Sequence, residues 1–483
     1  MSAKFGHVSF TLGTRSGARG GAERPGSSSL RVLLVGDFSG RGQGATGAER
    51  PRPIDIDRLD GAFASLGATL SLPSLAASGR SVELALRNLD ELHPDHLLAK
   101  VPDLAELVRL KNALPRDPAA AARLTEILGS APAGSDSADV DPPSGVREAG
   151  AESGDQTLAR LLGAEGRAPR ESERAPAAPP RELDVQRLVK SLIGGLAGAS
   201  TPPPDTTALS SAAEHTIGER LRAILHSDRF RSLESSWRSI DRLVRNSPDE
   251  EQIQYFLLDV APERLAEAPA ELERVLEGGY SVVVLDHIYR PEAFELEGLA
   301  RLLELCAARG ASIITGAHAE LAGCPGFDRS PAPDHWTRNW PDSVTSAWER
   351  ILRARENGAA LALALPRFLL RQPYGSSGET LEAVRFEEIL DQGEHEAFVW
   401  GNGAYLIAQA VAELRASGGE GAHADGSVDV RELPVVHLEG EDEVQIKPCA
   451  EAWLSDRALG RLLSEGFSVL HGLRDSDRIR VHL

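Results

Sequence analysis

The chain has 483 residues, 41% of them hydrophobic, and its 72 acidic against 52 basic side chains give a net charge of −20. Duplex nucleic acid or an anionic membrane surface as main partner demands the opposite excess, because phosphates must be neutralised. No apolar run reaches a membrane-spanning length, no apolar core precedes a cleavage site at the start, and Cys306, Cys324 and Cys449 are too scattered for a disulfide framework, so a reduced, cytoplasmic protein is predicted.

Val8, Phe10 and Leu12 alternate with Ser9 and Thr11 and predict a strand. Arg31 to Asp37 predicts a buried strand that runs into Gly36–Gly42. That glycine turn lacks the lysine and hydroxyl of a phosphate loop. It is read as a tight turn needing glycine dihedrals. Val82, Leu84 and Leu86 alternate as a further strand, and residues 94–114 and 119–128 predict helices, with Pro102 opening a new one. His93 and His96 flank Pro94 at a helix start, where capping or solvation suits them better than metal binding.

From Gly129 to Ser210 the chain holds ten of its 30 prolines among Ala, Gly, Ser, Glu and Arg. That composition predicts a long disordered linker, because too little apolar surface is available to offset ordering entropy. Two stretches inside it keep helical spacing: Leu158, Leu161 and Leu162, and the segment Val185–Leu196. They are read either as marginal helices that dock on the body or as short motifs for a partner's groove.

After the linker, Phe230, Leu233, Trp237, Ile240 and Val244 form one helical stripe. Strands at 254–260, 281–286, 311–315 and 361–365 alternate with helices near 292–309 and 342–357, which predicts α/β layers. Residues 401–415 read as a helix. The chain ends in an alternating strand with Ile479, Val481 and Leu483 on one face.

Chemistry is sparse. There is no nucleophile elbow and no zinc helix. Asp286 and His287 close a buried strand, a common address of α/β active sites, yet no nucleophile or second carboxylate is identifiable beside them. No catalytic, cofactor or metal site is therefore predicted. Arg367 and Arg371 lie four apart between Pro366 and Pro373, a pattern suited to pairing carboxylates at a packed junction, within one chain or between subunits. Glu387, Glu388 and Asp391 are the nearby candidates.

Leu365–Gly375 (LPRFLLRQPYG), Trp400–Tyr405 (WGNGAY) and Ile224–Arg238, which contains LESSWR, resemble signatures of the large subunit of the type VI secretion contractile sheath. Arg31–Arg41, Pro53–Arg58 and Leu89–Asp95 resemble the small subunit of the same sheath, which is ordinarily a separate chain. The resemblance implies a mixed α/β sheath fold, with a small-subunit-like region at 1–128, the linker at 129–210 and a large-subunit-like domain at 211–483. It departs from the family in a short stretch between Asp57 and Val82 and in a Gly/His/Asp-rich insertion at 416–432. Within the matched motifs, Trp237, Tyr374, Trp400 and Asn402 join Arg367 and Arg371 as packing and ion-pair residues.

By the same resemblance the protein is a non-enzymatic protomer without cofactor, which polymerises into a helical tube around an inner tube and contracts. The strands carrying Val8, Phe10 and Leu12, and Ile479, Val481 and Leu483, are expected in a sheet shared between subunits. The implied partners are further copies, the inner tube protein, the baseplate, and an AAA+ unfoldase that grips the Leu158, Leu161, Leu162 segment or else Val185–Leu196. A baseplate or capping component of the same apparatus, and a cytoplasmic α/β enzyme built on Asp286 and His287, are the alternatives. The linker composition predicts that limited proteolysis cuts first between residues 129 and 205. Mass spectrometry should find a front fragment ending near 130 and a rear fragment starting near 205. First cuts elsewhere would contradict the division.

Overall fold

The first strand, β1 (Leu30–Gly36), is apolar at every position but Arg31 and the terminal glycine, as expected of a strand covered on both faces. It belongs to a computed structural model that describes residues 29–41, 50–72, 82–130, 205–248, 252–329, 332–376, 378–391, 394–419, 421–438 and 445–483. The chain divides into two units, residues 1–109 with 214–483, and residues 110–213.

In chain order β1 is followed by β2 (Arg52–Ile54), α1 (Leu59–Leu66), β3 (Thr69–Leu72), β4 (Val82–Ala85), α2 (Pro94–Lys100), α3 (Pro102–Ala113) and α4 (Pro118–Ser130). Next come α5 (Thr206–Leu225), α6 (Asp228–Arg245), β5 (Ile253–Asp259), α7 (Pro262–Glu267), α8 (Pro269–Leu276), β6 (Val282–Tyr289), α9 (Ala293–Ala308) and β7 (Ser312–Ala317). Then follow α10 (Asp342–Glu356), β8 (Leu361–Leu365), β9 (Phe368–Leu369), β10 (Trp400–Gly401), α11 (Ala404–Ala416), β11 (Val428–Val430), β12 (Val436–Leu438) and β13 (Gln445–Lys447). The last elements are α12 (Asp456–Ser464), β14 (Ser468–Gly472) and β15 (Ile479–His482). Pro94, Pro102, Pro262 and Pro269 each open a helix, where a missing N–H leaves no hydrogen bond unmade.

Nine strands of the first unit form one sheet in the order β11-β15-β14-β8-β7-β6-β1-β5-β2. The front of the chain thus contributes β1 to the middle of a sheet whose other central strands follow the proline-rich stretch. β1 runs parallel to β5, with Leu30 opposite Ile253 and Gly36 opposite Asp259. Its other edge runs parallel to β6, with Val32 opposite Val282. Leu33, Val35, Val283, Leu285, Ile313 and Leu363 enter a core with Leu299 and Leu303 of α9 and Ile351 of α10. The alternate residues point to the opposite face, as the pleat requires. There α11 packs on β6, β7 and β8, and on α6.

The turn after β1 uses two glycines for different reasons. A Cβ on Gly36 would sit 2.9 Å from both the Asp286 Cβ and the Phe38 ring, and Gly40 has φ +68°, a conformation glycine adopts without strain. In the second unit, α4 and the first turns of α5 bury Ala121, Leu124, Leu209 and Ala213.

Several expectations change. The helical ends reach further than the composition suggested. α4 continues through Ser130, and α5 starts at Thr206, where the Asp205 carboxylate accepts from the Thr207 and Ala208 N–H groups. The low-complexity insertion at 416–432 contains β11, which a glycine-rich context concealed. The terminal alternation does form β15, with Ile479 and Val481 fully buried and Leu483 half-buried. In this chain, however, β15 lies between β11 and β14, so both its edges are occupied without a second copy. Val8, Phe10 and Leu12, and likewise Leu158, Leu161, Leu162 and Val185–Leu196, lie outside the described residues. Among the described residues no helix is long and apolar enough to cross a membrane.

Deleting Asp477–Leu483 removes β15 from between two partner strands and uncovers their core face. Losing the buried Ile479 and Val481 alone should cost roughly 3–6 kcal/mol, at ~1.5–3 kcal/mol per side chain. Denaturant unfolding should therefore show a clear loss of stability. An unchanged midpoint would mean that β15 is dispensable to the chain's own sheet.

Candidate functional site: a junction of buried ion pairs

The motif Leu233–Arg238 sits on α6, whose Phe230, Leu233, Trp237, Ile240 and Leu243 bury one side of the helix. Its hydrogen-bonding side chains reach three other segments, around Arg371 and Tyr374, Trp400 and Phe38. Glu234, fully buried, accepts from the Arg371 Nε at 2.7 Å and Nη2 at 3.2 Å. One turn on, the Arg238 Nε donates to Glu234 at 2.7 Å, and its Nη2 donates to the Tyr374 hydroxyl at 3.1 Å. The Ser235 hydroxyl donates to the Trp400 carbonyl at 2.9 Å. The Trp237 Nε1 donates to the Phe38 carbonyl at 2.8 Å.

Arg371 also reaches Glu388, Nη1 to Oε2 at 2.6 Å and Nη2 to Oε1 at 2.8 Å, and its guanidinium lies 4.2 Å from the centre of the Tyr374 ring. One buried fork therefore bridges two carboxylates, a geometry that the planar guanidinium permits and an ammonium does not. Burial works against the charge of Glu234, but Arg371 and Arg238 outweigh it and hold the carboxyl at about 2. Burial likewise opposes the charge on Arg371, and Glu234 and Glu388 overcome it, pushing its pKa well above the ordinary value.

Arg367 makes a second, similar bridge. Its guanidinium pairs with Glu396 at 3.0 and 2.7 Å and with Glu451 at 2.6 Å, and its backbone N–H donates to Glu451 at 3.0 Å. Despite its burial, Glu451 is held well below the usual carboxylate range by His395 and Arg367. His395, Glu396 and Glu451 have ligand atoms within 4.8 Å of one another, but the Arg367 guanidinium already supplies the cation between the two carboxylates. Trp400 donates from Nε1 to the His395 carbonyl at 2.9 Å and stacks on the His395 ring at 4.8 Å.

Asn402 joins this junction to the sheet. Its Nδ2 donates to the His287 carbonyl at 3.1 Å, and its Oδ1 accepts from the Ala404 N–H at 3.0 Å, capping α11. Behind it Asp286 is pushed up by burial. His287 sits between Glu263, 2.8 Å away, and Glu295, 3.5 Å away. Burial lowers its pKa, but the two carboxylates outweigh burial and raise it to about 9. A cavity of about 360 Å³ is lined by Ser232, Ser235, Asp286, His287, Arg367 and Trp400, among others. The Ser235 and Ser236 hydroxyls donate to backbone carbonyls, Asp286 has Ser236, Tyr405 and Asn402 as side-chain hydrogen-bond partners, and the imidazole faces carboxylates.

The front of the chain packs onto the same residues. The Phe63 ring lies 4.4 Å from Trp237, and His93 meets Tyr374 edge-on at 5.0 Å. Asp95 accepts from the Glu382 N–H at 3.2 Å and the Ala383 N–H at 3.5 Å. His93 also accepts from the Asp95 N–H, which is its capping role at the start of α2. The Leu89–Asp95 motif therefore reads the loop that follows the Leu365–Gly375 motif.

Glu388 is one of the three carboxylates that the sequence places near the arginines. Glu387 instead accepts from the Ser376 N–H. Glu234, Glu396 and Glu451 escaped sequence reading. Glu234 left one signal: it falls four residues after Phe230, so a carboxylate lies on an apolar stripe. Glu451 left none, being 84 positions from Arg367.

Arg371→Ala leaves Glu234 and Glu388 buried without their shared cation, and should cost ~3–5 kcal/mol in denaturant unfolding. In the parent, the depressed pKa of Glu234 contributes stability above pH 4.5 that is lost as pH falls through 2, worth ~3 kcal/mol. The raised pKa of His287 contributes stability below pH 6.5 that is lost as pH rises through 9, by a similar amount. Unfolding followed against pH should fall at both ends. Arg371→Ala should flatten the acid limb and His287→Asn the alkaline one. Unaltered limbs would separate these residues from the pH dependence.

Comparison with known proteins adds to this geometry. A family model described as EvpB/VC_A0108, tail sheath N-terminal domain, matches residues 209–277 and 269–481. A second, described as type VI secretion system, VipA, VC_A0107 or Hcp2, matches residues 17–122. The type VI secretion system sheath protein TssC1 of Pseudomonas aeruginosa is 25% identical over 292 residues, covering 55% of this chain and 58% of that protein.

Proposed function

Because the chain belongs to the type VI secretion sheath family, we propose that it is a structural protomer of a contractile sheath, carrying small-subunit and large-subunit regions on one polypeptide. The observation that carries this is the pair of family matches, in order, on either side of the proline-rich stretch. Copies stack head to tail into a helical tube, since a heterologous contact that does not close yields an open filament. The tube surrounds an inner tube, starts from a baseplate, works in the cytoplasm and drives the inner tube outward by contracting. Contraction is a shift between two packings of different stability, so the stroke needs no catalytic centre in this chain.

Subunits stay linked through shared strands while they rotate as rigid bodies. With both edges of β15 filled in cis, the neighbour's strand adds at the outer edge of β11, which has no partner among the described residues. The donor is the segment of Val8, Phe10 and Leu12 from another copy. The Leu158, Leu161 and Leu162 segment serves an AAA+ unfoldase that recycles spent sheath.

Negative-stain microscopy of the purified chain tests the proposal. Tubes are expected, and removal of residues 1–12 should abolish them while unfolding midpoints stay within error. Discrete particles from the intact chain would favour a baseplate or capping role. Normal tubes from the truncated chain would remove the strand exchange.

A further inference from the structure

A front segment supplied by a separate small sheath subunit would need the strand position between β5 and β6, and among the described residues that position is taken by β1. The β5 strand has β1 on one edge and β2 on the other, and β6 has β1 and β7. β1 is bonded from its first residue and beyond the N-terminal ends of β5 and β6, since the Leu30 N–H donates to the Gln252 carbonyl at 2.7 Å and the Ser281 N–H donates to the Arg31 carbonyl at 2.9 Å. The Arg31 guanidinium covers the Phe256 ring at 4.6 Å and the Tyr280 ring at 5.2 Å. Beyond the strand, the Ser39 N–H donates to the Asp259 carboxylate at 3.0 Å, and Phe38 and Phe63 flank Trp237. At the sheet's far edge, Pro53 in the middle of β2 offers no N–H to a further strand.

Resting on the sheath reading, we propose that the chain fills the small-subunit position with its own front segment, so that one chain is a complete protomer and no separate small-subunit chain enters it. A second front segment could enter only by displacing β1 from both neighbours at once. It would also have to break the Trp237 and Asp95 contacts. Covalent attachment favours the resident segment further, because a tethered group competes at an effective concentration in the millimolar range, about a thousandfold above a free chain at micromolar concentration.

The test uses the full chain with a protease site placed within residues 131–204 and a fluorophore on the front part. After cutting, the two pieces should co-elute in gel filtration at one to one. Mixed with a tenfold excess of intact, unlabelled chain, the label should stay with its own rear piece. Less than about a tenth should move, against nine tenths for free exchange at that ratio. Appearance of the label on intact chain would overturn the proposal. So would a requirement for added small-subunit chain before the intact chain assembles. Paired pieces without label transfer but also without tubes would support cis completion and remove the sheath reading. Tubes together with label transfer would remove cis completion and leave the sheath reading standing.

Discussion

β1 is bonded along both edges to strands that lie more than two hundred positions further along the chain, and the other features of the junction depend on that placement. Without it, β5 and β6 face each other across an empty strand position with unpaired ladders. Such groups cannot stay buried without partners. With it, the turn after Gly36 delivers Phe38 to Trp237 and Ser39 to Asp259. Trp237 in turn fixes the rotation of α6, and that rotation aims Glu234 and Arg238 at the Leu365–Gly375 motif.

The ion pairs fix which segments meet at this junction. A buried carboxylate is costly unless its partners are well placed, and a close-packed apolar substitute is often as stable as a buried pair. What Arg371 does that apolar packing does not is tie a helix, a strand end and the 380s loop into one arrangement, with four guanidinium N–H groups directed at Glu234 and Glu388 and a fifth at the Gln372 carbonyl. Arg367 does the same for the segments around Glu396 and Glu451. The front region is held to the same junction by Phe38 and Phe63 on Trp237, by His93 on Tyr374 and by Asp95 on the Glu382 and Ala383 N–H groups.

Much of this was legible in residues whose signal is local. The runs at β1, β6 and β8 are apolar enough to declare buried strands, and the Phe230 to Val244 stripe declares α6. Arg367 and Arg371 stood out by their proline frame, and Glu388 was within sequence reach of Arg371. The order of strands in the sheet was not legible, because pairing of β1 with β5 and β6 leaves no mark in the sequence around β1. Nor were Glu396 and Glu451, which meet Arg367 only through tertiary structure. The terminal strand shows both sides of this limit. Its alternation correctly announces β15, while the identity of its neighbours, β11 and β14, depends on a three-residue strand hidden in a glycine-rich segment.

The front of the chain is an interior part of the large region's sheet, and amide hydrogen exchange reads that placement. Amides opened only by global unfolding exchange slowest, whereas edge strands and docked peripheral segments exchange through local openings. The amides of Val32 to Val35 should be among the slowest in the protein, matching those of β6 and β7. Exchange of β1 at the rate of surface loops, with β6 still protected, would contradict it.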